Sequence, residues 1–259
     1  MGNRRWFSIK IRYTIRVNTL ETKDLAKVFG GVKAVNGLSV SIPKGKITGV
    51  IGPNGSGKTT LTNVLTGIYP IDGGVVVIEG KERSKIKSHE VFSLGLTRTF
   101  QNVRVFEQVS VLDNVLIALT RRNILGSLFE RANGEHAKKA QEVLERVGLW
   151  DKREANASEL SYGQRKLLEI ARALATGTNT ILFDEPYAGL FPEMVKLVSS
   201  IMRDLRSEGK TIVLIEHDMA LIRELCDYVI VMDAGKLLAH GTAEEALSNK
   251  AVIEAYLGV

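Results

Sequence analysis

The sequence predicts an α/β fold in which a parallel sheet is covered by helices on both faces and a mostly helical segment is inserted into it. Three observations carry this expectation. Short, wholly apolar runs alternate with helical patterns, as strands buried on both faces do. One apolar run passes directly into a glycine-rich loop and then a helix. From residue 102 to about 160 the apolar residues recur at helical rather than strand spacing.

The elements follow in order. Residues 1–18 hold Arg4, Arg5, Lys10, Arg12 and Arg16 and no acid, while the rest balances 30 basic against 29 acidic residues. The formal charge of +6 therefore belongs to a tail and gives the body no bias toward nucleic acid. In that tail Ile9, Ile11, Tyr13, Ile15 and Val17 alternate with Lys10, Arg12, Thr14 and Arg16. An added edge strand, a segment lying on anionic lipid, a plain solvated extension and a misassigned start all remain open. Leu38, Val40 and Ile42 alternate with Ser39 and Ser41, the period of a half-buried strand, before a turn at 43–46. Residues 47–51 form an apolar strand, 59–66 a helix, and 75–78 a further strand after Gly73 and Gly74. Ser110 and Asp113 form a capping box for a helix with Val111, Leu112, Val115, Leu116 and Leu119 on one face. After a polar link around 123–134, Ala137, Ala140, Val143, Leu144 and Val147 mark a second helix that stops at Gly148. Helix–strand alternation then returns: helix 162–176, strand 181–183, helix 192–208 with Pro192 in its first turn, and strand 211–215. Residues 228–232 and 236–239 flank a hairpin-like turn at Asp233-Ala234-Gly235.

Composition narrows the function classes. No stretch reaches the roughly 18 apolar residues of a spanning helix. The basic start lacks an apolar core, so no cleaved secretory leader is expected. The single Cys226 cannot form an internal disulfide, and its neighbours Ile222 and Leu225 place it on a half-buried helix as a structural residue.

The chemistry starts at Gly52-Pro53-Asn54-Gly55-Ser56-Gly57-Lys58-Thr59-Thr60, a G-x-x-x-x-G-K-[ST] loop between a strand and a helix. Glycines let backbone N–H groups wrap a phosphate, and the helix adds its positive end. Lys58 is expected on the β- and γ-phosphates and Thr59 on Mg2+. Asn249-Lys250 is followed by Ala251-Val252, without the Asp of a guanine-reading loop, so ATP is the expected nucleotide. Ile181-Leu182-Phe183-Asp184-Glu185 is an apolar strand ending in two acids, costly unless they have work to do. Asp184 is expected to hold Mg2+ and Glu185 to polarise the attacking water. His217 closes the next apolar strand, where it can donate to a γ-phosphate. Leu160-Ser161-Tyr162-Gly163-Gln164 reads first as a capping box, Ser161 with Gln164, for the helix behind it. The same helix start is also a second anion site.

Together these motifs resemble the ATP-binding-cassette ATPases of membrane transporters, over about residue 19 to the C-terminus. The resemblance implies a P-loop NTPase fold with a RecA-like parallel-sheet core, an antiparallel β subdomain and a helical insertion. The domains would be a basic extension at 1–18, a nucleotide-binding core at 19–101 and 165–259, and a helical subdomain at 102–164. It implies that Phe29 stacks on adenine. It also implies that Gln101 links the nucleotide site, including its Mg2+, to the helical subdomain, and that Ser161, Gly163 and Gln164 meet the ATP of a second subunit. The implied assembly is a head-to-tail dimer of like or related ATPase subunits, sandwiching two ATP on the cytoplasmic face of the cell membrane. Its partners are integral-membrane permease subunits and, indirectly, a solute-binding protein, with no nucleic acid. Residues 98–106, 161–174 and 252–258 are similar to the ATPase subunits of branched-chain amino-acid importers, a subgroup that includes urea and short-amide importers. Tyr162 replaces the usual signature Gly, and Phe191 replaces the usual Asp of the D-loop. An exporter cassette, or a soluble cassette ATPase acting on ribosomes or DNA, remains an alternative.

Overall fold

The computed structural model describes residues 18–120 and 134–257. The basic tail up to residue 17, most of the polar link at 123–134, and Gly258 lie outside the described residues. The chain opens with long strands β1 (Asn18–Phe29) and β2 (Val32–Pro43), then β3 (Ile47–Ile51) and α1 (Lys58–Leu65). Strands β4 (Gly73–Ile78), β5 (Lys81–Arg83) and β6 (Leu96–Arg98) follow. Helices α2 (Val111–Leu119), α3 (Glu135–Arg146) and α4 (Tyr162–Ala175) come next. The last part contains β7 (Thr180–Asp184), α5 (Pro192–Ser207), β8 (Thr211–Ile215), α6 (Met219–Leu225), β9 (Tyr228–Asp233), β10 (Lys236–Gly241), α7 (Ala243–Leu247) and α8 (Lys250–Leu257).

The strands form two sheets. One is antiparallel, in the order β2-β1-β4-β5, and the other runs β10-β9-β3-β8-β7-β6. In the second, β3 pairs in parallel with β8 and β9, and β7 with β8 and β6; only β10 runs antiparallel. β3, β7 and β8 are buried on both faces. Ile181 and Phe183 of β7 face one cluster with Leu168, Ile201 and Leu214, whereas Leu182 faces the other with Val64, Val213 and Ile230. Phe183 is fully buried, and truncation to Ala at such a site costs about 3–5 kcal/mol. The first cluster carries the helices after β6; the second joins α1 to the antiparallel sheet.

Local chemistry sets the ends of the elements. Ala234 and Gly235 both have positive φ (45° and 77°), as a tight hairpin between β9 and β10 requires. α5 begins at Pro192, with Glu193 in its first turn and Arg206 in its last. α4 begins on a reciprocal capping box between Ser161 and Gln164. The division expected between 164 and 165 falls inside this continuous helix.

Several readings need correction. The capping box expected at Ser110 is half a box: Ser110 Oγ accepts from Asp113 N, but the Asp113 carboxylate accepts from the Ser110 hydroxyl, not its backbone. Ala137, expected on the apolar face of α3, is exposed. The largest omission is β1, whose apolar residues do not alternate cleanly because its pairing with β2 shifts register four times. The short β6 and helices α7 and α8 were also not anticipated; none is long enough to show a clear period.

Candidate nucleotide site

The carboxyl ends of β3, β6, β7 and β8 lead into the glycine loop, Gln101, the Asp184-Glu185 pair and His217, so the parallel sheet gathers four sequence motifs along one edge. The loop between β3 and α1 is held by its own glycines and by a distant hairpin. A Cβ on Gly52 would lie 2.1 Å from the Met232 carbonyl oxygen, and one on Gly57 (φ 99°) would lie 2.3 Å from that of Ala34. Ser56 is buried; its N–H donates to Pro53 O at 3.1 Å and its carbonyl accepts from Gly235 N at 3.0 Å. Asn54 and Gly55 form the exposed tip, Pro53 is half-buried, and Thr59 and Thr60 follow on the first turn of α1. That turn has no side-chain cap and no acidic residue, so its N–H groups and positive end stay open to an anion. The Lys58 ammonium donates to Gly52 O at 2.7 Å and Pro53 O at 3.0 Å. Burial pushes Lys58 below the ordinary lysine value, against the opposing pull of Glu185 and Asp184.

The two acids take different surroundings. Asp184 is 1% exposed; its Oδ2 accepts from Arg98 at 2.5 Å and its buried Oδ1 has no partner. Glu185 turns out of the strand with φ 48°, a left-handed conformation rare for a non-glycine residue. Its Oε2 accepts from Gln101 Nε2 at 2.9 Å. The structure thus brings together the expected base and the expected linking glutamine. His217 is exposed (67%), with its ring 4.0 Å from the Glu216 carboxylate. Glu216 is buried, which raises its pKa above the ordinary glutamate value, and it accepts from the N–H groups of Tyr187 and His217.

At the signature, Ser161 Oγ accepts from Gln164 N at 3.3 Å and Gln164 Oε1 accepts from Ser161 N at 3.1 Å. Gln164 also accepts from Lys152 at 3.3 Å. Gly163 is buried, and a Cβ there would sit 2.6 Å from Met194 Sδ, so a larger residue would have to displace the flexible Met194 side chain on α5. Phe29 is exposed, edge-on to Tyr69 at 5.1 Å, with the Lys27 ammonium 5.1 Å from its ring. The hydrogen bonds of Ser161 and Gln164 stay within their own helix start and Lys152, apart from the glycine loop.

Sequence reasoning missed the buried charges behind these motifs. Lys166, 1% exposed, donates to Glu185 O at 2.6 Å. Glu169 Oε1 accepts from Phe100 N and Arg104 N, both at 3.2 Å, clasping the segment that carries Gln101. Burial pushes the Glu169 carboxyl up to about 7 despite those bonds and the nearby Lys166 and Arg172. Arg172 donates to Arg104 O and packs on Phe106. The available signal was the spacing: charges at 166, 169 and 172 recur every three residues, a polar stripe along a helix whose apolar residues from Leu167 to Ala175 are buried. Burial pushes the Cys226 thiol up to about 12, which agrees with a structural role.

An apolar strand, an uncapped glycine loop with Lys58, and an Asp-Glu strand end on a parallel sheet define a phosphate-loop ATPase. Residues 35–188 match the family described as ABC transporter, and residues 236–259 match the branched-chain amino acid ATP-binding cassette transporter family. The chain belongs to the ABC transporter family, as one of its nucleotide-binding ATPase cassettes. It is 40% identical to the high-affinity branched-chain amino acid transport ATP-binding protein BraF of Pseudomonas aeruginosa, over 92% of this chain and 97% of that protein. Identity to LivG of Escherichia coli, of the same description, is 38% over the same shares. A nucleotide-free ATP-binding cassette from an ABC transporter superposes with TM-score 0.82 at 36% identity, covering 93% of this chain and 100% of that one. The ADP conformation of another such cassette gives TM-score 0.81 at 37% identity, covering 93% and 99%. Among the described residues no helix is long and apolar enough to cross a membrane.

Proposed function

We propose that this chain is the ATP-hydrolysing motor of an importer for branched-chain amino acids or a related small polar solute. The observation that carries the solute class is the likeness of residues 236–259 to the branched-chain amino acid cassettes, beside relatives whose names state that transport. In the proposed reaction a water oxygen attacks the γ-phosphorus, the bond to the bridging oxygen of ADP breaks, and the water's proton leaves through Glu185. Gln101 holds that carboxylate in place, 2.9 Å from its amide. Lys58 and the loop N–H groups of Asn54, Gly55 and Gly57 bind phosphate, with Gly52, Pro53 and Ser56 shaping the loop, Thr60 on the same turn and Phe29 against the base. His217 donates to the γ-phosphate.

The residues fit a magnesium ion: the buried Asp184 Oδ1 lacks a partner and Thr59 offers an exposed hydroxyl on the facing helix start. Asp184 and Thr59 would hold the ion, with Gln101 beside them, and the phosphates of the nucleotide would share its charge. When bound, the ion neutralises charge developing on the phosphates.

Ser161, Gly163 and Gln164 serve the ATP of a second ATPase subunit, in a dimer docked through the helical subdomain on permease subunits at the cytoplasmic face of the membrane. A cassette from Clostridium perfringens described as part of an ABC transporter complex, at 26% identity and TM-score 0.76, supports assembly with further transporter subunits. Glu185→Gln is expected to bind ATP normally and lose at least about 100-fold in turnover; a wild-type rate in the purified variant removes Glu185 as base. Affinity capture from detergent-solubilised membranes is expected to bring down hydrophobic permeases. Ribosomal RNA or DNA in their place overturns the transport reading.

A further inference from the structure

We infer that Arg98 is a positioning residue for the magnesium site, a bridge that sets the distance between the helix carrying Thr59 and the strand carrying Asp184. The inference rests on the proposed reading of Thr59 and Asp184 as metal-binding residues. Arg98 ends β6, the strand paired with β7. One amino group of its guanidinium donates to Asp184 Oδ2 at 2.5 Å. The other donates to Asn63 Oδ1 at 2.6 Å and lies 3.4 Å from Thr66 Oγ1. Asn63 stands four residues after Thr59 on α1 and so shares its face. The guanidinium therefore spans from the Thr59 face of α1 to the carboxylate at the end of β7. Its side chain is 5% exposed and that of Asp184 is 1%, so water does not compete for the bond between them.

The bridge also orients the carboxylate. With Oδ2 committed to Arg98, the buried Oδ1 is the oxygen left for a cation. The planar fork sets its two amino groups at a fixed spacing, one toward the helix and one toward the strand; a lysine ammonium has the charge without that geometry. The guanidinium charge itself opposes a nearby cation, so a neutral replacement would mix two effects of opposite sign. The informative variants keep the charge and break the bridge.

The test titrates Mg2+ against binding of a fluorescent ATP analogue to the full chain, beside the same binding in EDTA. Arg98→Lys is expected to raise half-saturating Mg2+ about tenfold, the worth of one charge-assisted bond. Asn63→Ala, which removes the shorter of the two helix-end contacts and leaves the one to Thr66, is expected to raise it about threefold. Affinity in EDTA is expected to change less than about twofold in both, since neither touches the glycine loop. Wild-type Mg2+ dependence in folded Asn63→Ala and Arg98→Lys overturns the bridge. Asp184→Asn separates the two readings: if it keeps the wild-type Mg2+ dependence, the assignment of the metal site itself fails.

Discussion

Two helix starts in this chain face the same chemical problem and solve it in opposite ways. α1 opens on Gly57 with φ 99°, no side-chain cap and no acid in its first turn. α4 opens on Ser161 with the N–H groups of Ser161 and Gln164 already answered by a reciprocal box. Four orphan N–H groups at a helix start must find acceptors. α1 leaves them for a ligand and adds Lys58; α4 satisfies part of them within its own chain. The difference teaches that one helix start keeps its N–H groups open to an anion, while an anion arriving at the other would meet a helix start already stable without it.

The comparison breaks most visibly at Lys58. Lys58→Ala removes the ammonium proposed to bind phosphate, the equivalent of about two charge-assisted bonds, so ATP affinity is expected to fall about 100- to 1,000-fold by direct titration. Retention of affinity within tenfold would mean that the loop backbone alone carries the site. Next in size is a pH effect on α4. Glu169 has an ordinary carboxyl value of 4.5 that burial raises to about 7. As pH rises through this window the unfolded chain loses its proton first, so the folded chain loses stability and the deficit levels off above about 7. Glu169→Gln does not titrate and keeps an acceptor for Phe100 N and Arg104 N. Its stability over wild type is therefore expected to grow between pH 4.5 and 7, by about 3 kcal/mol at most, in denaturant unfolding. A pH-independent gap would show that Glu169 is not the titrating group.

The same pair of helices shows what was legible in the sequence. The strand at 47–51, the loop behind it and the start of α1 were all readable, because β3 is a closed apolar run and each loop residue has a chemical reason of its own. The capping box at Ser161 was readable for the same reason: it is a local pattern of residues three apart. What tied the site together was not local. Arg98 meets Asn63 and Asp184 across 35 and 86 residues, and Glu169 meets Phe100 and Arg104 across 69 and 65. The hairpin at Gly235 supports Ser56 from the far end of the chain. Such contacts follow from strand order, which period and propensity do not reveal. Gly163 was read for its backbone alone; its packing on Met194 depends on where α5 lies.

The smallest expected effect tests whether the cap and the second anion site are one feature or two. Ser161→Ala deletes the acceptor for Gln164 N and is expected to cost about 1 kcal/mol. In a chain of this size that is about 2–4 °C in Tm by calorimetry. Binding of ATP at α1 is expected to stay within about twofold, because the two helix starts share no hydrogen bond. Ser161→Asp separates the roles. Aspartate caps as well as serine, and its charge suits a helix start, so Tm is expected to match or exceed wild type. The same charge repels a phosphate brought to α4 by a second subunit, so steady-state ATP hydrolysis is expected to fall while binding to the single chain persists. Normal hydrolysis by a stable Ser161→Asp protein would leave Ser161 with its capping role alone, and the contrast between the two helix starts would reduce to one anion site and one ordinary capped helix.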